Sequence, residues 1–246
     1  MRPLFLFLLS MCSIHAIGQT ATDIVRKADE KLKGKTSAAN ITITIVRPEY
    51  SREMSVKSWT KGDDLALILV TAPEKDKGIV YLKRDKEIWN WVPSIERTIK
   101  MPPSMLSQSW MGTDFTNDHL VKEASIADDY TASFTADSTI ENRLCYGIIL
   151  IPKPESAVVW GKVIMYVDKK DLMILHARYY DEEAVLINTM QCSEVKTLGG
   201  KLLPAKMEMT PADKKGYKTV LLYNALEFDK PIEDNFFTTQ NMPRVK

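Results

Sequence analysis

Asp114, Asp118 and His119 are the densest cluster of groups in this chain that could do chemistry, two carboxylates and an imidazole in one short stretch. Such a set can hold a metal or pass a proton, but its spacing matches no zinc or calcium loop. By local rules Asp114 serves a turn, Asp118 sits in a helix first turn where its charge suits the dipole, and His119 is a solvated helix residue. His176 alternates with Ile174 and Arg178 in "LMILHARYY" and reads as a strand histidine with a partner. There is no Gly-x-Ser-x-Gly elbow, no Gly-rich phosphate loop and no His-Glu-x-x-His. Cys145 and Cys192 lie in strand-like segments. In an oxidising compartment they can pair, or each is a small buried apolar residue, and they make no recognisable metal site. The expectation is a protein that is not an enzyme and carries no cofactor or metal.

What remains is binding chemistry. "MPPSMLSQSWMGTDFTNDHL", residues 101–120, combines prolines and a glycine with Met101, Met105, Leu106, Trp110, Met111 and Phe115. Soft, flexible methionines adapt to irregular ligands. A loop so rich in them suits a lid over an apolar groove. The aromatic residues Trp59, Tyr81, Trp89 and Trp91 lie in the strands before it.

The elements that must position these residues follow from periodicity. Residues 20–34 predict an amphipathic helix, with Ala21, Ile24, Val25, Ala28 and Leu32 at helical spacing and Gly34 as its stop. From "NITITIVRP" onward the period becomes two, and strands with turn-sized gaps predict an antiparallel meander. Pro102 and Pro103 end that run. Ser104 then caps a short helix through Met111. Thr116 caps a second, with Phe115 stapled against Leu120. Strands resume to "YKTVLLYNALEF". The predicted fold is mainly β with a few short helices: a single curved antiparallel sheet forming an incomplete barrel, closed by the N-terminal helix and a central helical lid.

Residues 1–18 read as a cleavable secretory signal, with Arg2, an apolar run from Leu4 to Met11, and Ala16-Ile17-Gly18 at its end. A lipoprotein signal at Cys12 is disfavoured by Met11 before it. Residues 19–246 then form one domain, with no transmembrane segment in the mature chain. The chain has 33 basic and 32 acidic residues, and removing the signal takes one base, Arg2, and no acid. That balance argues against nucleic acid as a partner.

The central stretch resembles the LolA-like family of outer-membrane lipoprotein-sorting proteins, in its longer, exporter-associated branch. The matching positions are Pro73, Asp76, Lys77, Gly78, Tyr81, Leu82, Trp89, Trp91, Pro93, Arg97 and Ile99, then Met111, Gly112, Thr113, Asp114, Phe115 and Leu120. Ile232, Asp234 and Phe237 resemble the family's terminal segment. The resemblance implies an incomplete barrel with an apolar cavity for acyl chains, no catalytic residues, and partners among envelope exporters.

The expected cavity wall is Ile43, Ile45, Leu67, Leu69, Tyr81, Trp89, Trp91, Ile99 and Met101. The expected lid is Met105, Leu106, Trp110, Met111 and Phe115, with Arg97 anchoring it through its carbonyls. The functional expectation is a periplasmic carrier, secreted through its signal peptide, that binds acyl chains of lipoproteins or phospholipid and moves them toward the outer membrane. An inner-membrane exporter and an outer-membrane acceptor are its expected partners. The alternative is a periplasmic accessory or sensor module of an envelope exporter that binds a protein. A hydrolase of envelope lipids is a third reading, opposed by the missing nucleophile constellation.

Overall fold

The computed structural model describes residues 19–85, 87–119, 126–156 and 158–246. The expected signal and Leu120 lie outside the described residues.

Helix α1 (Ala21–Lys33) starts at Thr20, whose hydroxyl accepts from the Asp23 N–H while Asp23 accepts from the Thr20 N–H, a reciprocal capping box. It ends at Gly34, whose φ of 64° favours a residue without Cβ. Its apolar stripe, Ala21, Ile24, Val25 and Ala28, is buried.

Among the described residues, thirteen strands form one antiparallel sheet. They are β1 (Thr36–Val46), β2 (Ser51–Lys61), β3 (Leu65–Ala72), β4 (Val80–Arg84), β5 (Glu87–Val92), β6 (Arg97–Lys100), β7 (Tyr130–Ile140), β8 (Arg143–Pro152), β9 (Lys162–Asp168), β10 (Ile174–Tyr180), β11 (Leu186–Leu198), β12 (Lys201–Pro211) and β13 (Lys218–Phe228). Their spatial order is β6-β5-β4-β3-β2-β1-β13-β12-β11-β10-β9-β8-β7. The first and last strands therefore meet in the middle, where Ser37 pairs with Phe228 and Val46 with Lys218. The first half is a meander running outward from the centre, the second a meander running back to it, and β6 and β7 are the open edges. The sheet is an incomplete barrel, as expected.

Strand pairing decides which residues face inward. The inner face, which α1 and residues 101–119 cover, carries Ile43 and Ile45 on β1 opposite Met54 and Arg52 on β2. Across β3, β4 and β5 the same face continues through Ile68, Tyr81 and Asn90. The outer face of β3–β5 has its own core, built from Leu67, Leu69, Val80 and Leu82 with Phe237 and Met242. The chain after β13 supplies that cover. Its position is held by Arg84, which donates to the Phe237 carbonyl at 3.0 Å, and Lys61, which donates to the Ile232 carbonyl at 2.9 Å.

The local structure of the lid differs from expectation. Instead of a helix from Ser104 to Met111 there is a single 3₁₀ turn over Pro103–Met105, followed by tight turns. Met111 and Gly112 both take positive φ, 49° and 77°, which no right-handed helix accommodates. Trp110 N–H donates to the Phe115 carbonyl at 2.9 Å, so the loop folds back on itself. Thr116 does cap the next turn, accepting the His119 N–H at 3.2 Å.

Candidate functional site

Between α1, the lid and the inner face lies a cavity of about 240 Å³. From the sheet it is lined by Met165, Tyr179, Met190, Cys192, Met207 and Leu221, and at one end by Ser37, Ser58 and Thr60. Ala28, Asp29, Leu32 and Lys33 of α1 form one wall. Phe115, Asp118 and His119 of the lid close another, with Asp129, Tyr130 and Trp160 beside them. Asp129 ends α2 (Ile126–Asp129). Most of this lining is apolar, and Met165, Met173, Met190 and Met207 give it deformable walls.

Two of the charged groups, Lys33 and Asp29, are paired with each other. Lys33 bonds Asp29 at 2.8 Å and Asp63 at 3.0 Å. Burial pushes the Asp29 carboxyl above its ordinary range, against the pull of Lys33. His119 is enclosed by aromatic rings, with centroids of Tyr179, Trp160 and Phe115 at 4.8, 5.3 and 5.9 Å. The reading of His119 as a solvated helix residue is therefore corrected. Burial lowers its pKa to about 4, so it is neutral at ordinary pH.

The lid is latched at its tip. Arg47, just past β1, donates to the Gly112 carbonyl at 2.8 Å and pairs with Asp114 at 2.9 Å. Both side chains of that pair are nearly buried, 9% and 7% exposed. Asp114 also accepts the Thr219 hydroxyl at 2.7 Å, and its N–H donates back to the same oxygen at 2.9 Å. Arg52 donates to the Met111 carbonyl, and Arg47 stacks on Tyr217 at 4.9 Å. Asp114 thus does more than serve a turn: it ties the lid to β1 and β13.

The residues expected at the site divide by strand face. Phe115 lines the cavity. Ile43, Ile45, Tyr81 and Trp110 are buried in the same inner core under the lid tip, and Met101, Leu106 and Met111 pack against it, none of them in the cavity wall. Trp110 lies 5.4 Å from Tyr81 and is fully buried. Met105 is half-buried, and its carbonyl accepts from Asn117 at 2.8 Å.

Four expected wall residues face the other way. Leu67, Leu69, Trp89 and Trp91 belong to the outer core under Phe237. The reason is register: Tyr81 pairs with Asn90, which sends Trp89 and Trp91 to the opposite face. Ile99 pairs with Asn90 but is 48% exposed on the edge strand. Arg97 is also exposed there, and among the described residues no bond joins it to the lid. The lid arginines are Arg47 and Arg52 instead. His176 has the partner expected of it, Gln191 at 2.9 Å. Cys145 and Cys192 are both free thiols and sit in separate clusters.

The missed residues are those of the second meander. Its signal is present in the alternation of "VIMYV", "INTMQC" and "AKMEM", each with a methionine on the inner face.

Comparison with known proteins agrees with this architecture. A family model whose description reads "Uncharacterized protein" matches residues 62–244. No curated protein matches the chain. Among solved structures, a DUF1329 family protein from Desulfovibrio piger superposes with a TM-score of 0.83 at 20% identity, covering 90% of this chain and 97% of that one. A putative outer membrane lipoprotein-sorting protein domain from Vibrio parahaemolyticus gives 0.81 at 19% identity, covering 91% and 98%. A LolA superfamily protein from Nitrosomonas europaea gives 0.78 at 22% identity, covering 91% and 99%. The chain belongs to the family of that model, and its fold is the LolA-like half-barrel.

Proposed function

We propose that the protein is a periplasmic carrier that shelters acyl chains beneath its lid while they move toward the outer membrane. The observation that carries this reading is the apolar, methionine-lined cavity bounded by α1 and a latched loop. The likeness in fold to a putative lipoprotein-sorting domain supports it. Among the described residues no helix is long and apolar enough to cross a membrane.

The size of the cavity is informative. An apolar cavity of about 150 Å³ is enough for benzene. By that measure 240 Å³ takes an alkyl stretch of roughly ten carbons. Burying that stretch gains on the order of 8 kcal/mol gross, at about 0.8 kcal/mol per methylene. Immobilisation offsets much of it, which suits cargo that must be released. Native mass spectrometry of protein secreted to a bacterial periplasm and purified without detergent, followed by lipid extraction, tests the proposal. Discrete mass additions identified as phospholipid or acylated peptide are expected. A bare mass would argue against it and for the protein-binding alternative, which the exposed Ile95 and Ile99 beside the open edge at β6 favour.

A further inference from the structure

Two N–H donors on cavity-lining residues have no acceptor among the described residues. His119 Nε2 and Trp160 Nε1 are each buried without a hydrogen-bond partner among the described residues, and both residues line the cavity. Their rings lie 5.3 Å apart, centroid to centroid. The main-chain N–H of Thr116 donates to His119 Nδ1 at 3.2 Å. An Nδ1 that accepts is unprotonated, so the neutral ring carries its hydrogen on Nε2 and offers it as a donor. An indole N–H can only donate. Buried donors of this kind are costly unless something accepts from them. Trp110 Nε1 is also buried without a partner, but it lies outside the cavity wall and is not part of this pair.

We infer that His119 and Trp160 form a polar recognition point inside the apolar cavity, which takes the carbonyl oxygen of an acyl ester from a single-chain lipid. This rests on the acyl-carrier reading and adds to it the part of the cargo that is recognised. A carbonyl oxygen has two lone pairs and can accept from both donors at once. A free carboxylate fits less well, because Asp29, Asp118 and Asp129 also line the cavity, against one lysine, Lys33. The acyl chain runs from the two donors into the methionine-lined part of the cavity. The rest of the lipid lies toward the acids, where a cationic or zwitterionic headgroup is tolerated.

Three probes separate the possibilities by fluorescence titration of the full mature chain below their micelle concentrations. Lauroyl lysophosphatidylcholine carries the ester carbonyl. Dodecylphosphocholine has the same headgroup and a similar chain but no carbonyl. Laurate carries a carboxylate. The ester should bind about tenfold more tightly than dodecylphosphocholine, the difference expected when two buried donors gain an acceptor. His119→Phe and Trp160→Phe, which keep an aromatic ring in place, should each bring the ratio of the two affinities toward one. The indole N–H resonance of Trp160 should move downfield with the ester alone, a readout that needs no variant to fold. Equal affinity for the first two probes would overturn the donor pair and leave the apolar cavity standing. Tightest binding of laurate would overturn the ester assignment. Failure of all three to bind would overturn the carrier reading itself.

Discussion

Replacing Asp114 with alanine should open the lid without unfolding the sheet. The substitution removes the ion pair to Arg47 and the acceptor of the Thr219 hydroxyl. Breaking a buried pair by removing one partner costs about 3–5 kcal/mol. The lower end applies here, because Arg47 keeps three main-chain acceptors, the carbonyls of Val46, Lys218 and Gly112. That cost falls on the closed state alone, since an open lid returns Arg47 to water. Lid opening should therefore become easier by about 3 kcal/mol, on the order of a hundredfold in its equilibrium constant. Amide hydrogen exchange reads this directly at Trp110, Thr113 and Asn117, whose N–H groups donate within the lid. Their exchange should accelerate by about that factor, while amides in the β11–β12 pair keep wild-type protection. Asp114→Asn retains an acceptor for Thr219 and should accelerate exchange far less. An acceleration under about fivefold in Asp114→Ala, or an equal acceleration across the sheet, would refute the latch.

Further outcomes follow from the same contacts. Trp110→Ala should cost about 3–5 kcal/mol in chemical denaturation, with lipid content of the purified protein falling as well. Phe237→Ala should cost a similar amount by emptying the outer core, yet leave cavity affinity for lauroyl lysophosphatidylcholine unchanged. His119 makes stability depend on pH: its folded pKa of about 4 lies below the ordinary 6.5, so the unfolded chain binds the proton first. Stability from this group is complete above about pH 6.5 and is lost as pH falls toward 4. Relative to His119→Phe, wild type should lose about 2 kcal/mol between pH 7 and pH 5 in parallel urea titrations. Burial pushes the Cys192 thiol up to about 12 and also raises Cys145. Both should resist iodoacetamide in the native state and react on unfolding, by mass spectrometry.

The architecture was legible in the sequence because its signals are local. Period-two alternation, turn residues and the Thr20 to Gly34 helix limits each act within a few positions. The site was less legible because it depends on pairing between strands. Nothing in "EIWNWVP" shows that Asn90, not Trp89 or Trp91, will face inward beside Tyr81. The hairpin register decides that, and a single residue reverses it. The lid anchor was misplaced for a related reason. Arg97 is adjacent to the lid in sequence, whereas Arg47 and Arg52 reach it only because β1 and β2 lie under its tip. His119 looked solvated because a short polar stretch surrounds it, and Tyr179 and Trp160, which enclose it, come from far along the chain.

The seam at the centre of the sheet bears on how the chain is made. Every other strand pairs with its neighbour in sequence, but β1 must wait for β13. During synthesis the first meander can assemble as soon as β6 emerges, and its strand β1 then presents an unpaired edge with Ile41, Ile43 and Ile45 on one side. Such an edge invites association with other chains. Joining strands so distant in sequence is also slow, because the loop must close before any contact rewards it. The half-finished molecule is thus the vulnerable one, and a helper that shields β1 until residues 218–228 arrive would protect the protein at its weakest moment.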